Sequence, residues 1–170
     1  MHVYAIALGS NRRHDRHGSP RHVLLAAIGA LSAHGTITAQ SPIIATSALG
    51  PAGRGFANAA LLMETLLDPP ALLHHLKRIE RAFGRRRGRR WGARVLDLDI
   101  LLWSGGAWTG RAPALLIPHP HLARRRFVLD PLVTIARDWR IPATALHVRH
   151  AHARLTRRVP LHRDAGGSGL

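Results

Sequence analysis

The most regular pattern of apolar and polar residues lies in residues 95–102, VLDLDILL. Side chains of a β-strand point alternately to opposite faces of a sheet, so this pattern has the period of a strand. With that period, the even-numbered positions from Leu96 to Leu102 share one face, and Asp97 and Asp99 share the other. The segment predicts a strand carrying two carboxylates on one side, with Cβ atoms about 7 Å apart.

Two segments have the period of an amphipathic helix, residues 20–33 and residues 69–83. Each follows a residue that can cap a helix and has a proline in its first turn. In the second helix the apolar residues form one stripe, which leaves Lys77 and Glu80 off the side that faces the core.

Residues 3–8, 36–46 and 56–65 predict three further strands, the first of them central in the sheet. Pro42 indicates that the second strand lies at an edge or contains a bulge. The element order is then β-α-β-β-α-β. This order is typical of an α+β ferredoxin-like sandwich, a mainly antiparallel sheet with helices on one face, and it leaves the other face for the carboxylates.

The C-terminal third is less regular. Residues 103–113 predict a turn with a short strand around Trp108, and Asp130-Pro131 predicts the start of a short helix that ends near residue 136. A weaker helical pattern follows Pro142. We expect a single domain over residues 1–150 and a disordered basic tail over residues 151–170, with solvated histidines around it.

Two glycine-containing segments are candidates for loops at a binding site. Residues 47–55 connect the second and third strands and are interpreted either as a lid or as an ordinary surface connection. Residues 85–94 precede the strand with the carboxylates and contain six arginines together with Trp91. Guanidinium groups bind phosphates through paired hydrogen bonds, so this arm suits a polyphosphate.

The paired aspartates have two interpretations. Like charges this close are costly to bury unless cations neutralise them, and two hard oxygen ligands on a rigid strand can hold one or two Mg²⁺ ions. Alternatively, Asp97 and Asp99 form ion pairs with nearby arginines, or the strand exposes its polar face to water. His119, which lies between two prolines, is equally open: it can donate to a phosphate or serve only the loop structure.

Composition narrows the class of protein. The 170 residues carry a formal charge of +16, with 25 basic and 9 acidic residues, and 46% are hydrophobic, which is enough for a core. The charge alone favours a nucleic-acid partner, but Lys77 is the only lysine, and the arginines are spread along the chain. The absence of cysteine excludes disulfides and cysteine catalysis. With no apolar run of membrane-spanning length, we expect a cytoplasmic protein.

Two long motifs resemble one enzyme family. The motifs are RWGARVLDLDILL at residues 90–102 and IPHPHLARRRFVLDPL at residues 117–132, and the GSN turn at residues 9–11 also fits. They are similar in sequence, order and spacing to the 6-hydroxymethyl-7,8-dihydropterin pyrophosphokinases of folate biosynthesis. The resemblance covers about residues 3–142. It implies transfer of the β,γ-diphosphate of ATP to the hydroxymethyl group of the dihydropterin, with release of AMP.

The resemblance also implies roles for individual residues in binding ATP. Asp97 and Asp99 would hold two Mg²⁺ ions, and Arg85 and Arg94 would neutralise charge on the transferring group. The other residues that the resemblance places at the nucleotide are Lys77, Glu80, Arg87, Trp91, Ile100, His119 and Arg125.

For the pterin, the resemblance implies stacking faces and edge donors, which a flat heterocycle rich in hydrogen-bonding groups requires. The residues concerned are Thr46, Leu49, Phe56, Asn58, Trp91, Asp97 and Phe127. The partners expected are ATP and the dihydropterin, with no membrane, no specific nucleic acid and a monomeric chain.

This chain departs from the family pattern at a few positions. Ser47 and Ala48 stand where prolines are common, which predicts a looser lid, and Ala93 replaces a usual proline. Lys77 stands where a glutamine is frequent, which changes the contact expected there. No metal ligand and neither principal arginine is missing, so we expect an active enzyme. Another two-metal phosphotransferase with a different acceptor and a nucleic-acid-binding protein are the alternatives.

Overall fold

A computed structural model describes residues 1–46, 55–84 and 95–157. It contains a five-stranded sheet, a separate two-stranded hairpin and four α-helices in the described part of the chain. The elements are β1 (His2–Ser10), α1 (Pro20–Leu31), β2 (Thr36–Gln40), β3 (Ile44–Thr46), β4 (Phe56–Thr65), α2 (Pro69–Ala82), β5 (Asp97–Trp103), β6 (Trp108–Arg111), β7 (Ala114–Ile117), α3 (Arg126–Ala136) and α4 (Val148–Thr156).

The sheet has the order β2-β4-β1-β5, with β3 also paired to β4, and every pairing is antiparallel. This order confirms the ferredoxin-like prediction and places β1 inside the sheet. The segment predicted as one strand at residues 36–46 is two strands, because Pro42 lies in the break between them. The break is held by Ser41, whose buried Oγ accepts a hydrogen bond from Ala60 N at 2.9 Å.

The strand β5 does not keep the predicted alternation to its end. Ile6 pairs with Ile100, but Ala5 pairs with Leu102, so Leu101 is an extra residue that forms a bulge. After a bulge, each later side chain points to the face opposite the one that simple alternation predicts. Leu102 was predicted on the face of Leu98 and Ile100, and this is wrong: it packs on the opposite face with Leu101.

One face of the sheet packs against α1 and α2. The core there contains Tyr4 and Ile6 from β1, Leu61 from β4 and Leu98 from β5, all with side chains that are fully buried. Both helices begin as predicted: Ser19 Oγ accepts a hydrogen bond from His22 N, and the Asp68 carboxylate accepts one from Ala71 N at 2.9 Å. These caps fix the entry of each helix into the core.

Helices α3 and α4 cover part of the opposite face, so the prediction that helices lie on one face only is wrong. Their apolar residues form a second core with Ala5, Ala60 and Leu102. The helix α3 begins at Arg126, not at Asp130, and contains Pro131 in its interior. Proline removes one intrahelical bond, but packing of Leu129 and Leu132 in the core holds the helix there.

The boundary predicted at residue 151 is also wrong, because α4 continues to Thr156 and buries Ala151. His152 is not simply solvated, since its Nε2 lies 2.9 Å from Asp130 Oδ1 on α3. The hairpin β6-β7 confirms the short strand around Trp108 and adds a partner strand that the sequence pattern did not predict. In the described ranges, no helix has the length and apolar character needed to cross a membrane.

Two glycine-to-alanine substitutions should change stability in opposite directions. In Gly35→Ala the added methyl would overlap the Glu64 carbonyl oxygen and lie 2.7 Å from Met63 Cε, so we expect a loss of about 1–3 kcal/mol. In Gly29→Ala the methyl meets nothing within 4 Å beyond the backbone of its own helix, and alanine favours a helix interior by about 0.5–1 kcal/mol.

Denaturant unfolding of both variants and the parent chain measures these differences. Gly29→Ala is the control for the substitution itself, since it lies inside α1 with open space around it. A Gly35→Ala variant as stable as the parent would contradict the close approach of residue 35 to β4.

Candidate active site

Asp97 and Asp99 lie on the face of β5 that α3 and α4 do not fully cover, and both are partly exposed. Their neighbours on β1 are small: Gly9 pairs with Asp97 and Ala7 pairs with Asp99. Small residues beside the carboxylates leave space above β1 for a ligand. The prediction that the two aspartates share one face of a strand is confirmed.

On the other side of β1, Asn58 of β4 pairs with the same Gly9. Asn58 is buried, and its Nδ2 donates to Thr46 Oγ1 at 2.9 Å. A methyl on residue 9 would lie 3.5 Å from Asn58 Oδ1, so a larger side chain there would fill this space. With strands about 4.8 Å apart, Asn58 and Asp97 stand about 10 Å apart across a shallow floor.

His119 closes the carboxylate end of the site. Its backbone N donates to Leu101 O at 3.0 Å, and its Nε2 lies 4.0 Å from Asp99 Oδ2. Burial is the main cause that lowers the pKa of His119, with Arg125 and His121 acting in the same direction, while Asp99 and Asp97 oppose it. The ring is therefore neutral at pH 7.

The hydrogen bonds of His119 also fix its tautomer. His121 N donates to His119 Nδ1 at 3.1 Å, so in the neutral ring the proton is on Nε2, the nitrogen that faces Asp99. His119 thus presents a directed N–H donor next to the two carboxylates. Such a donor suits a phosphate oxygen.

Two phenylalanines offer exposed faces to a flat ligand. Phe56 lies on the same strand as Asn58, two residues before it and on the same face, and the residue is 38% exposed. Phe127, in the first turn of α3, is 42% exposed, and the Arg125 guanidinium lies 5.7 Å from its ring centroid. Exposed aromatic rings near polar groups are suited to stacking on a heterocycle.

Glu80 occupies a different place from the one predicted, whereas Lys77 lies off the buried stripe as expected, with a side chain that is 34% exposed. Glu80 was expected off the buried stripe of α2, but its side chain is fully buried. Its Oε1 accepts from Leu98 N at 2.8 Å and from Lys77 Nζ at 2.7 Å. Helical periodicity cannot reveal this burial; the only signal is a basic residue three positions earlier, which can neutralise the carboxylate.

The remaining predicted residues divide into two groups. The side chain of Ile100 packs on the α1/α2 face, away from the aspartates, so only its backbone is available to a ligand on the carboxylate side. The others lie outside the described residues, and their assignments stay predictions: Leu49, Arg85, Arg87, Trp91 and Arg94.

Sequence reasoning did not single out Ala7 and Gly9 as the floor between Asn58 and the aspartates. The GSN turn was the signal, since glycine at the end of a buried strand often marks a close approach of a ligand. Within the described ranges, no group of three or more histidine, cysteine or acidic residues is arranged to hold a metal ion. A cation here would depend on the two carboxylates and on oxygens from water or substrate.

Comparison with known proteins matches residues 5–137 to the family described as 7,8-dihydro-6-hydroxymethylpterin-pyrophosphokinase (HPPK). The chain is 41% identical over 140 residues to the 2-amino-4-hydroxy-6-hydroxymethyldihydropteridine pyrophosphokinase of Pseudomonas aeruginosa, covering 81% of this chain and 82% of that protein. The enzyme of the same name from Bacillus subtilis is 37% identical over 143 residues, covering 82% of this chain and 81% of that protein.

Among solved structures, Plasmodium falciparum HPPK-DHPS superimposes on 91% of this chain with a TM-score of 0.68. The identity is 14%, so this likeness concerns the fold, and the present chain spans 44% of that longer one. The family match covers the sheet, the carboxylate strand and α3 up to its C-terminal end. The chain belongs to the 7,8-dihydro-6-hydroxymethylpterin-pyrophosphokinase family.

Proposed function

We propose that the protein transfers the β,γ-diphosphate of ATP to the hydroxymethyl group of 6-hydroxymethyl-7,8-dihydropterin in folate biosynthesis. The observation that carries this proposal is the placement of Asp97 and Asp99 on one face of β5, across the Gly9 floor from Asn58. One end of the site offers carboxylates and the His119 donor for phosphates. The other end offers the Asn58 amide and the exposed Phe56 ring for a heterocycle.

The reaction is a substitution at the β-phosphorus of ATP. The oxygen of the primary alcohol forms a bond to this phosphorus, the bond from the phosphorus to the α,β-bridging oxygen breaks, and AMP leaves with that oxygen. The alcohol gives up its proton to water, which balances the reaction. Little covalent chemistry is required of the protein, so catalysis depends on alignment and on neutralising charge.

Asp97 and Asp99 fit a magnesium site. Mg²⁺ is commonly held by one or two carboxylates and completes its shell with water and substrate phosphates, and this strand supplies two such carboxylates. Bound there with ATP, two Mg²⁺ ions would neutralise phosphate charge and favour the ionised alcohol. The small side chains of Ala7 and Gly9 leave room beside the carboxylates.

His119 and Arg125 are suited to the ATP phosphates. The neutral ring of His119 directs its Nε2–H beside Asp99, and the Arg125 guanidinium lowers the pKa of that ring from nearby. By resemblance to the family, we propose that Arg85 and Arg94 neutralise the negative charge on the transferring group, and that Arg87 is a third phosphate-binding arginine. These arginines lie outside the described residues.

The pterin would occupy the floor between Asn58 and the aspartates. The bond from Asn58 Nδ2 to Thr46 Oγ1 orients the amide, so its Oδ1 can accept from an N–H at the heterocycle's edge. Phe56 and Phe127 would stack on the ring faces, with Asp97 at the other edge. The pterin contacts of Trp91 and Leu49 remain predictions from the family resemblance. A cytoplasmic location and a monomeric state also remain predictions.

Replacing either aspartate should abolish turnover. In Asp97→Asn or Asp99→Asn one hard anionic ligand becomes a neutral amide. We expect AMP formation to fall more than about 100-fold, because loss of an outer-shell partner alone typically costs 10–100-fold. AMP release with the dihydropterin, ATP and Mg²⁺ measures this.

Asp138→Asn is the matched control, since that carboxylate is exposed and pairs with Arg149 rather than with the site. Near-normal turnover in either β5 variant would contradict the metal assignment. AMP formation that does not depend on the pterin would favour another phosphotransferase.

The orientation of Asn58 can be tested through its partner. Thr46→Val removes the acceptor without changing side-chain size, so we expect pterin affinity to fall by roughly fivefold, the value of one ordinary hydrogen bond. Thr46→Ser keeps the hydroxyl and should bind as the parent does. Calorimetric titration with the pterin measures both; equal affinities in the Val and Ser variants would contradict the orienting role.

The formal charge of +16 is the observation that favours the alternative of nucleic-acid binding. We expect filter binding to random RNA to be weak at 200 mM salt and to fall steeply with salt concentration, as a nonspecific phosphate interaction does. Tight binding that persists at 200 mM salt, together with no AMP formation, would favour the nucleic-acid alternative.

A further inference from the structure

The backbone N–H and C=O of Leu98, between Asp97 and Asp99, are both hydrogen-bonded to side chains of α2. Leu98 N donates to Glu80 Oε1 at 2.8 Å, and Lys77 Nζ donates to Leu98 O at 3.3 Å. Lys77 Nζ also donates to Glu80 Oε1 at 2.7 Å. These three contacts form a closed ring, which we call the Leu98 clamp: Lys77, Glu80 and the backbone N–H and C=O of Leu98.

The position of the clamp in the sheet gives it a specific task. In the described part of the chain, β5 is the last strand of the order β2-β4-β1-β5, with β1 on one side. The peptide groups on its outer edge therefore need partners other than a strand. At Leu98, midway between the two aspartates, Glu80 and Lys77 provide both the acceptor and the donor.

Burial makes the clamp rigid. The Glu80 side chain is fully buried, and a buried carboxylate is stable only when its oxygens are hydrogen-bonded and its charge is compensated. Hydrogen bonds to a charged acceptor are stronger than those between neutral groups. Leu98 itself is fully buried against α1 and α2, so the peptide is fixed from its edge and from its side chain.

The rigidity acts on the carboxylates because of strand geometry. Asp97 and Asp99 are joined through the backbone of Leu98, so its φ and ψ angles set the separation and relative direction of their side chains. Divalent magnesium demands nearly ideal octahedral geometry. Small changes in that separation therefore reduce affinity for the ion.

We propose that Lys77 and Glu80 are positioning residues that hold the Asp97/Asp99 pair at the spacing required by a divalent cation. This inference rests on the proposed function for the identity of the cation and assigns the two residues a role other than the nucleotide contact that the family resemblance implies. Glu80 is fully buried, and its Oε1 is already bonded to Leu98 N and Lys77 Nζ. Lys77 fills the position where the family frequently has glutamine, and its longer side chain reaches both Glu80 and Leu98 O.

Four variants separate the positioning role from a nucleotide contact. Lys77→Met has similar length and no donor, whereas Lys77→Gln keeps a donor. Glu80→Gln keeps an acceptor without charge. Arg78→Met is the matched control, because it removes one positive charge from an exposed neighbouring position of the same helix.

Three measurements on the full chain give readouts besides activity. Hydrogen exchange of the Leu98 amide, followed by NMR, reports the clamp directly. Titration with Mn²⁺ alone, followed by paramagnetic broadening of β5 resonances, reports the carboxylate pair. Titration with ATP in the absence of divalent ions reports nucleotide contact.

We expect Lys77→Met and Glu80→Gln to speed Leu98 exchange and to weaken Mn²⁺ binding by about 10-fold, within the range known for outer-shell partners. Metal-free ATP affinity should change less than about twofold, because a positioning residue makes no contact with the nucleotide itself. Arg78→Met should behave as the parent, and Lys77→Gln, which keeps a donor but is shorter and uncharged, should fall between the parent and Lys77→Met. If Glu80→Gln unfolds more easily than the parent, Lys77→Met decides the result, because the Lys77 side chain is 34% exposed and its replacement disturbs the core less.

Unchanged Mn²⁺ affinity in Lys77→Met and Glu80→Gln would overturn the proposal, and so would a loss confined to metal-free ATP binding. These outcomes are distinct from failure of the proposed function. A parent chain that releases no AMP with the dihydropterin refutes the proposed reaction, while amide exchange and Mn²⁺ titration still test the clamp.

Discussion

Two carboxylates on one face of a strand repel each other, and keeping them there constrains the rest of the molecule. Asp97 and Asp99 remain partly exposed while the opposite face of β5 is packed in the core. Two conditions keep such a pair in place. The strand must be too rigid to twist the groups apart, and water or cations must reach the charges to reduce the repulsion. Edge contacts at Leu98 and apolar packing of its side chain supply the first condition.

The distribution of helices supplies the second condition. One face of the sheet is closed by α1 and α2, and α3 and α4 cover the other face only at the end where Ala5, Ala60 and Leu102 lie. The bulge at Leu101 is what turns Leu102 into that second core. The same face is therefore dry at one end of β5 and open at the other, where the aspartates, Gly9 and Asn58 meet.

The site is thus composed of polar groups whose freedom has been removed. His121 fixes the tautomer of His119, Thr46 orients Asn58, and Glu80 grips the strand between the aspartates. Catalysis of phosphoryl transfer depends on alignment, so fixed groups are favourable. The contacts of Thr46 with Asn58 and of Glu80 with Leu98 join different elements of the fold. The contacts of His121 with His119 and of Lys77 with Glu80 are local in sequence.

The sequence by itself determined the elements whose signals are local. The period of two placed Asp97 and Asp99 on one face, caps and prolines marked the starts of α1 and α2, and two long motifs identified the family. Tertiary structure alone decided the bulge at Leu101, the burial of Glu80, the start of α3 at Arg126 and its packing on the second face. The physical reason is that these features depend on which surfaces meet: a charged residue is buried or exposed, and a proline tolerated or not, according to partners that adjacent residues do not specify.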